Sequence, residues 1–272
     1  MLKILSRASF VIIMMLTVAE SGCVHDLVTG KSSYNWFSID DDVKLGKQVI
    51  GEQLKDLQKQ HKAVDEEADA AMTEKIQRIT KRIAAVSHYP SFPFEAHYAD
   101  VDVVNAWCAP GGKVMVYKGL FDPKKGLVRA SSDDELAAVL GHEISHATAR
   151  HVTESLSRNV TIATVGQIAI TAISASGAGT VQNSFNRAIV EGINLYIPHY
   201  SRSNESEADR TGLLYAAKAG YNPQAAVDLW YRACKQKGPP SSVYDSHPAS
   251  CDRAKALEKL LPAAMIEYKK AR

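Results

Sequence analysis

The 272-residue chain is 46% hydrophobic and 23% charged, a globular composition that excludes disorder over most of its length and suffices for one sizeable core. Its 32 basic and 30 acidic side chains leave a formal net charge of only +2, so no broad basic footprint exists and nucleic acid is not an expected partner.

The chain opens with Lys3 and Arg7 ahead of an unbroken apolar run, Phe10 to Ala19, followed by Glu20, Ser21, Gly22 and Cys23. A charged start, a short apolar centre and a small-residue end describe a secretory signal, too short to span a bilayer as a mature helix. Residues 1–22 are therefore expected to be removed and the protein exported. The Ser-Gly-Cys end resembles that of a bacterial lipoprotein signal, which predicts lipidation of Cys23 and a lipid tether over 23–38. With Val24 after the cysteine, the outer membrane of a two-membrane envelope is the expected destination. Glu20 stands where that signal usually has an aliphatic residue, and cleavage after Ala19 is the alternative. Cysteine count bears on the choice: lipidation of Cys23 leaves Cys108, Cys234 and Cys251, and ordinary cleavage leaves four. In an oxidising compartment Cys234 and Cys251 close a short loop and make the expected disulfide, with two unpaired thiols as the alternative. Cys108 receives no role.

Residues 39–272 form one domain. Two stretches, 40–62 and 65–86, carry apolar residues at helical spacing, and acids open the second as suits a helix N-terminus, so N-terminal helices are expected over 39–88. From Phe92 to Phe121 the period becomes two and breaks at Pro110-Gly111-Gly112, which predicts an antiparallel hairpin on a small sheet. The residues Gly111, Gly112, Lys113, Val114 and Met115 are expected to present an open edge on which an extended chain could pair.

The next helix begins at Ser132, which has Glu135 three residues later as in a capping box, and runs through Leu136, Val139 and Leu140 into "GHEISHATARH". Residues four apart share one helix face, so His142 and His146 can direct ring nitrogens at one ion about 2 Å away, with Glu143 beside them at its open side. The stretch 160–180 has no charge but holds Thr, Gln, Ser and Gly throughout, which favours a helix packed on the domain or a flap over a membrane span. In "SRSNESEADRTGLLYAAKAGYNP" Asn204 is the expected cap, Gly220 the terminator, and Glu205 and Asp209 share a face.

The pairing of His-Glu-x-x-His with a later Glu-x-x-Ala-Asp resembles the gluzincin peptidases of the HtpX, Oma and CAAX prenyl protease family and their periplasmic lipoprotein relatives of the BepA and LoiP kind. The resemblance extends through "VNAWCAPGGKVMVYKGLF" and "DSHPASCDRAKAL", covering roughly residues 100 to 255. It implies one Zn2+ per chain, held by His142, His146 and Glu205, with Asp209 supporting a ligand histidine and Glu143 as general base. It implies an α+β fold, mainly helical and zincin-like, with a small antiparallel sheet whose edge strand borders the active-site cleft. The catalytic core is expected over 92–255 and a C-terminal helix over 248–271. The implied activity is a zinc endopeptidase acting on misfolded or unassembled envelope polypeptides, on the periplasmic side of the membrane, with envelope assembly machinery as a candidate partner. The competing function is a non-catalytic envelope chaperone or scaffold with a structural zinc, and an intact Glu143 argues against it, since a structural site needs no base. Three uses remain open for His247, in the loop before Pro248: a fourth zinc ligand that latches the enzyme at rest, a donor to the developing oxyanion together with Arg253, or a surface cap.

Overall fold

The computed structural model describes residues 23–25, 30, 32–158, 200–235, 247 and 251–272. Residues 1–22, expected to be a signal, and the uncharged stretch 160–180 lie outside the described residues. Among the described residues no helix is long and apolar enough to cross a membrane.

Strands β1 (Cys23–His25) and β2 (Ser32–Tyr34) pair antiparallel, Cys23 opposite Tyr34. The stretch expected to be a tether thus carries a small ribbon, and its end docks on the domain. Asn35 is buried and donates from Nδ2 to Thr153 Oγ1 at 3.0 Å, and the Trp36 amide donates to Ser157 Oγ at 2.9 Å. Helix α1 (Ile39–Lys59) starts with a complete capping box, Ser38 and Asp41 each accepting the other's amide. Helix α2 (Glu66–Ala85) has Asp65 at its N-cap with φ 56°, in the left-handed region. The Asp65 carboxylate makes no bond to the helix. It accepts from the Tyr98 amide at 3.0 Å and meets His97 Nδ1 at 2.7 Å, pinning the start of α2 to the sheet.

The sheet contains β3 (Glu95–Ala99), β4 (Ala106–Ala109) and β5 (Lys113–Tyr117) in the order β3-β5-β4. The expected hairpin is β4–β5, antiparallel around a 3-10 turn at Pro110–Gly112 in which Gly111 and Gly112 take φ of 68° and 84°. Strand β3 pairs with the other side of β5 in parallel, so the sheet is mixed where a wholly antiparallel one was expected. The chain leaves β3, crosses to the far position as β4, and returns between the two. Consequently β5 is the central strand, hydrogen-bonded on both flanks, and Lys113, Val114 and Met115 offer no open edge. Gly111 and Gly112 belong to the turn. Among the described residues β3 and β4 are the two edge strands, β3 met on its outer side only by an isolated bridge from Val64 to Ala99, and it is β4 that packs against the helix bearing the His-Glu-x-x-His segment.

That helix, α3 (Asp133–Thr148), is capped as expected by Ser132, whose Oγ accepts from the Glu135 amide at 3.2 Å. The reciprocal half of the box is missing because the fully buried Glu135 carboxylate accepts from the Arg129 amide at 2.8 Å and pairs with Arg232 at 3.0 Å. After a turn at Ala149–Arg150, where Arg150 has φ 58°, a helix α4 runs over 151–158. Arg150 is buried and donates from Nε to Asp42 at 2.5 Å and from Nη2 to the Phe37 carbonyl at 2.5 Å, fastening the turn to the start of α1. Helices α5 (Arg202–Lys218), α6 (Gln224–Ala233) and α7 (Cys251–Lys270) complete the domain. The expected disulfide Cys234–Cys251 joins the end of α6 to the start of α7, and Cys108 is a buried free thiol.

The core gathers Ile76, Ile79 and Ile83 of α2, Val114 and Val116 of β5, and Leu136, Leu140 and Ile144 of α3. Each large aliphatic side chain removed from water there contributes about 1.5–3 kcal/mol. Helices α3 and α5 touch backbone to backbone: a Cβ on Gly141 would stand 2.7 Å from the Gly212 carbonyl oxygen, and one on Gly212 would stand 2.6 Å from the His142 amide. Only glycine at both positions permits this approach. It brings the acids of α5 against the histidines of α3.

Candidate metal centre

His142 and His146 lie on one face of α3, both buried, as the four-residue spacing requires. Their Nε2 atoms converge to 3.1 Å. From α5, capped by Ser201 and not by the expected Asn204, Glu205 faces them: Oε2 is 3.5 Å from His142 Nε2 and Oε1 is 3.3 Å from His146 Nε2. Asn204 is the third residue of that helix and completes its capping box. Gly220, with φ 82°, follows the helix end as expected. His247 is buried, its Nδ1 2.8 Å from Glu205 Oε1 and 3.1 Å from His142 Nε2. The surface cap is therefore excluded. His142, His146, Glu205 and His247 each offer one ligand atom, and all four atoms lie within 4.8 Å of one another.

These donors fit a zinc ion. Ligand atoms about 2 Å from a tetrahedral centre stand roughly 3.3 Å apart. The observed separations of 2.8, 3.1, 3.3 and 3.5 Å bracket that value. Three imidazoles and one carboxylate are also the nitrogen and oxygen donors that zinc takes. The charges agree: burial opposes ionisation of Glu205, yet the hydrogen bonds of His142, His146 and His247 hold its carboxyl far below the usual range. Burial and the Arg253 charge oppose protonation of His142, but Asp209 and Glu205 outweigh them and raise its pKa to about 9. Without metal the two carboxylates thus hold a proton on His142, which metal binding would release. Burial pushes His146 well below its ordinary value and keeps the ring neutral, as a ligand must be.

Asp209 sits behind His142, Oδ1 3.1 Å from Nδ1, which leaves Nε2 aimed at the centre. Its carboxylate is clamped by Arg253 at the start of α7, with Nε to Oδ2 at 2.6 Å and Nη2 to Oδ1 at 2.7 Å. Arg253 also reaches Glu205 Oε2 at 2.9 Å and lies 3.8 Å over the Trp230 ring. As counter-ion to two site carboxylates its guanidinium is committed, and an oxyanion-donor role does not fit that geometry.

Glu143 is 1% exposed, and neither carboxylate oxygen has a hydrogen-bond partner among the described residues. His247 Nε2 lies 3.6 Å from its Oε1. Burial raises its pKa. Burial and then the Glu143 charge push the Cys108 thiol well up, consistent with β4 running close to this carboxylate. Two residues that periodicity did not flag also belong to the centre. Tyr200 stacks on His146 with ring centroids 3.7 Å apart and planes 17° apart. His151 is buried with Nδ1 2.9 Å from His146 Nδ1. A histidine five residues past His146 was the available signal, but it lies beyond the end of α3, where helical spacing no longer tells its direction.

Residues 70–261 match the model of peptidase family M48. The chain is 34% identical over 195 residues to mitochondrial metalloendopeptidase OMA1 of Schizosaccharomyces pombe, covering 71% of this chain and 54% of that protein. With mitochondrial metalloendopeptidase OMA1 of Arabidopsis thaliana it shares 33% identity over 193 residues, 70% of this chain and 36% of the relative. With the putative beta-barrel assembly-enhancing protease of Vibrio cholerae it shares 31% over 221 residues, 75% of this chain and 43% of the relative. The chain thus spans about half, or less, of the length of these relatives. With the family's residues matched from within α2 into α7 and the ligand cluster assembled between them, the chain belongs to peptidase family M48.

Proposed function

We propose that the protein is a zinc-dependent endopeptidase of the bacterial cell envelope that hydrolyses extended, misfolded or unassembled polypeptides. The observation that carries the catalytic part is Glu143, a fully buried carboxylate beside the ligand cluster without a hydrogen-bond partner among the described residues. Burying such a group costs free energy, and a structural site would have no use for it. Bound zinc supplies Lewis acidity, polarising the scissile carbonyl and bringing the attacking water's pKa toward neutrality. Glu143 accepts the water's proton as oxygen adds to the carbonyl carbon, then delivers it to the leaving amine nitrogen as the C–N bond breaks. Asp209, held by Arg253, fixes the ring of His142. His247, the fourth donor of the cluster, would hold the metal with the other three at rest and would have to swing aside for substrate. An extended substrate strand pairs along the outer edge of β4, the edge nearest Glu143.

The envelope location rests on the sequence of residues 1–23 and on the relative whose name describes assembly of β-barrels. Lipidation at Cys23 would anchor the domain at the membrane surface, and Cys23→Ala should then move the protein to the soluble fraction with its peptidase activity intact. The deciding experiment uses the purified mature chain and an unfolded casein as substrate. Cleavage should require zinc, stop with a chelator and be absent in Glu143→Gln. Undiminished cleavage by the chelated protein and by that variant would refute the proposal, and zinc binding with no cleavage by the wild type would favour the scaffold.

A further inference from the structure

The two helix ligands are supported from behind in different ways. His142 is backed by an anion, Asp209. His146 is backed by another imidazole: its Nδ1 is 2.9 Å from His151 Nδ1, at the first turn of α4. His151 is 1% exposed and lies 5.0 Å from His146 between ring centroids, the planes 69° apart. Its other nitrogen, Nε2, has no hydrogen-bond partner among the described residues and points toward Glu207 of α5, whose Oε2 is 3.9 Å away. Tyr200 covers the free face of His146.

We infer that His151 is the positioning residue for His146, and that it sets the tautomer in which His146 meets the metal. The logic is proton counting between two nitrogens. His146 Nε2 faces the cluster and must present a lone pair there, so its proton resides on Nδ1. That N–H donates to His151 Nδ1, which can accept only if His151 carries its own proton on Nε2. The Nε2–H then faces the Glu207 carboxylate at 3.9 Å, beyond a direct hydrogen bond. Glu207, His151 and His146 thus form a line from the α5 surface to the centre, and the stack with Tyr200 holds the His146 ring plane in that line. His142 has a carboxylate behind its ring, whereas His146 has an imidazole in the corresponding place.

This inference rests on the zinc site proposed above, and its test separates the two. Zinc affinity is measured by competition with a fluorescent chelator for the wild type, His151→Leu and His151→Asn, the last keeping an acceptor near the Nδ1 position. Wild type should bind one zinc. The leucine variant should bind about 10- to 100-fold more weakly, the usual effect of losing an outer partner, and the asparagine variant should recover most of that loss. In the zinc-loaded wild type, nitrogen-15 NMR should show a His146 Nδ1–H proton in a strong hydrogen bond. If wild type binds no zinc, the site itself is misassigned. If zinc binds and the leucine variant equals wild type, or both variants lose affinity alike, the tautomer role is wrong. Should the leucine variant not fold, the NMR signal decides, because a His146 protonated on Nε2 or lacking that bonded proton overturns the inference.

Discussion

Replacing Glu143 by glutamine separates catalysis from stability in one residue. The carboxylate is 1% exposed, has no hydrogen-bond partner among the described residues, and has its pKa raised above 4.5 by burial. A carboxyl whose folded pKa is raised opposes folding wherever it is ionised: the penalty is absent below the unfolded value, grows as pH rises through the folded value, and is complete above it. An unsatisfied buried polar group costs about 1–3 kcal/mol, and a charged one more. Glutamine removes the charge but leaves an amide to satisfy, so the net gain in the zinc-free protein at neutral pH should be about 1 kcal/mol, or roughly 2–4 °C in Tm for a domain of this size. Peptidase turnover with zinc restored should fall by about 10²- to 10⁴-fold, the contribution of a positioned general base. Zinc content should not change. The assays are thermal melts in chelator at neutral pH and near pH 4, casein cleavage, and metal analysis. The stability gain should shrink at the acidic pH. A variant that retains activity within tenfold, or that melts below wild type in chelator at neutral pH, would refute this account of Glu143.

Asp209→Asn should weaken zinc affinity by about 10- to 100-fold, because it removes the charged partner that aims His142 and leaves Arg253 paired with Glu205 alone of the two site carboxylates; unchanged affinity by chelator competition would reduce Asp209 to a structural acid. His247→Ala should raise casein turnover while loosening zinc, since the fourth donor both retains the metal and blocks the position a substrate needs; a fall in both turnover and zinc affinity would instead make it an essential ligand. At His97 burial opposes protonation, but Asp65 and Glu95 outweigh it and raise the pKa above 6.5. Its stabilisation is therefore fully present below the unfolded value and lost as pH rises through the folded one. His97→Gln should cost about 1 kcal/mol near pH 5.5, after screening at the half-exposed Glu95, and little near pH 9; equal costs at both pH values in urea titrations would show that the ion pairs do not contribute.

The sequence by itself determined whatever depends on direction within one element. Four-residue spacing put His142 and His146 on one face of α3, the same rule paired Glu205 with Asp209 on α5, and the alternation around Pro110 marked the β4–β5 hairpin. Those relations follow from a helix of 3.6 residues per turn and a strand of period two, and no partner is needed to establish them. What only the tertiary structure decided lies between elements. Strand order was one such matter: β5 slots between β3 and β4, so the segment expected to offer an open edge became the sheet's centre, and the edges passed to β3 and β4. His247 comes from 105 residues away to meet His142, and Arg253 from 44 residues away to clamp Asp209. His151 follows a left-handed Arg150, where the helical period that located His146 has ended. The close approach of Gly141 and Gly212 sets the distance between α3 and α5. Backbone contact at a pair of glycines is invisible to periodicity, because it requires both helices at once, and it is what brings His142, His146 and Glu205 within reach of one ion.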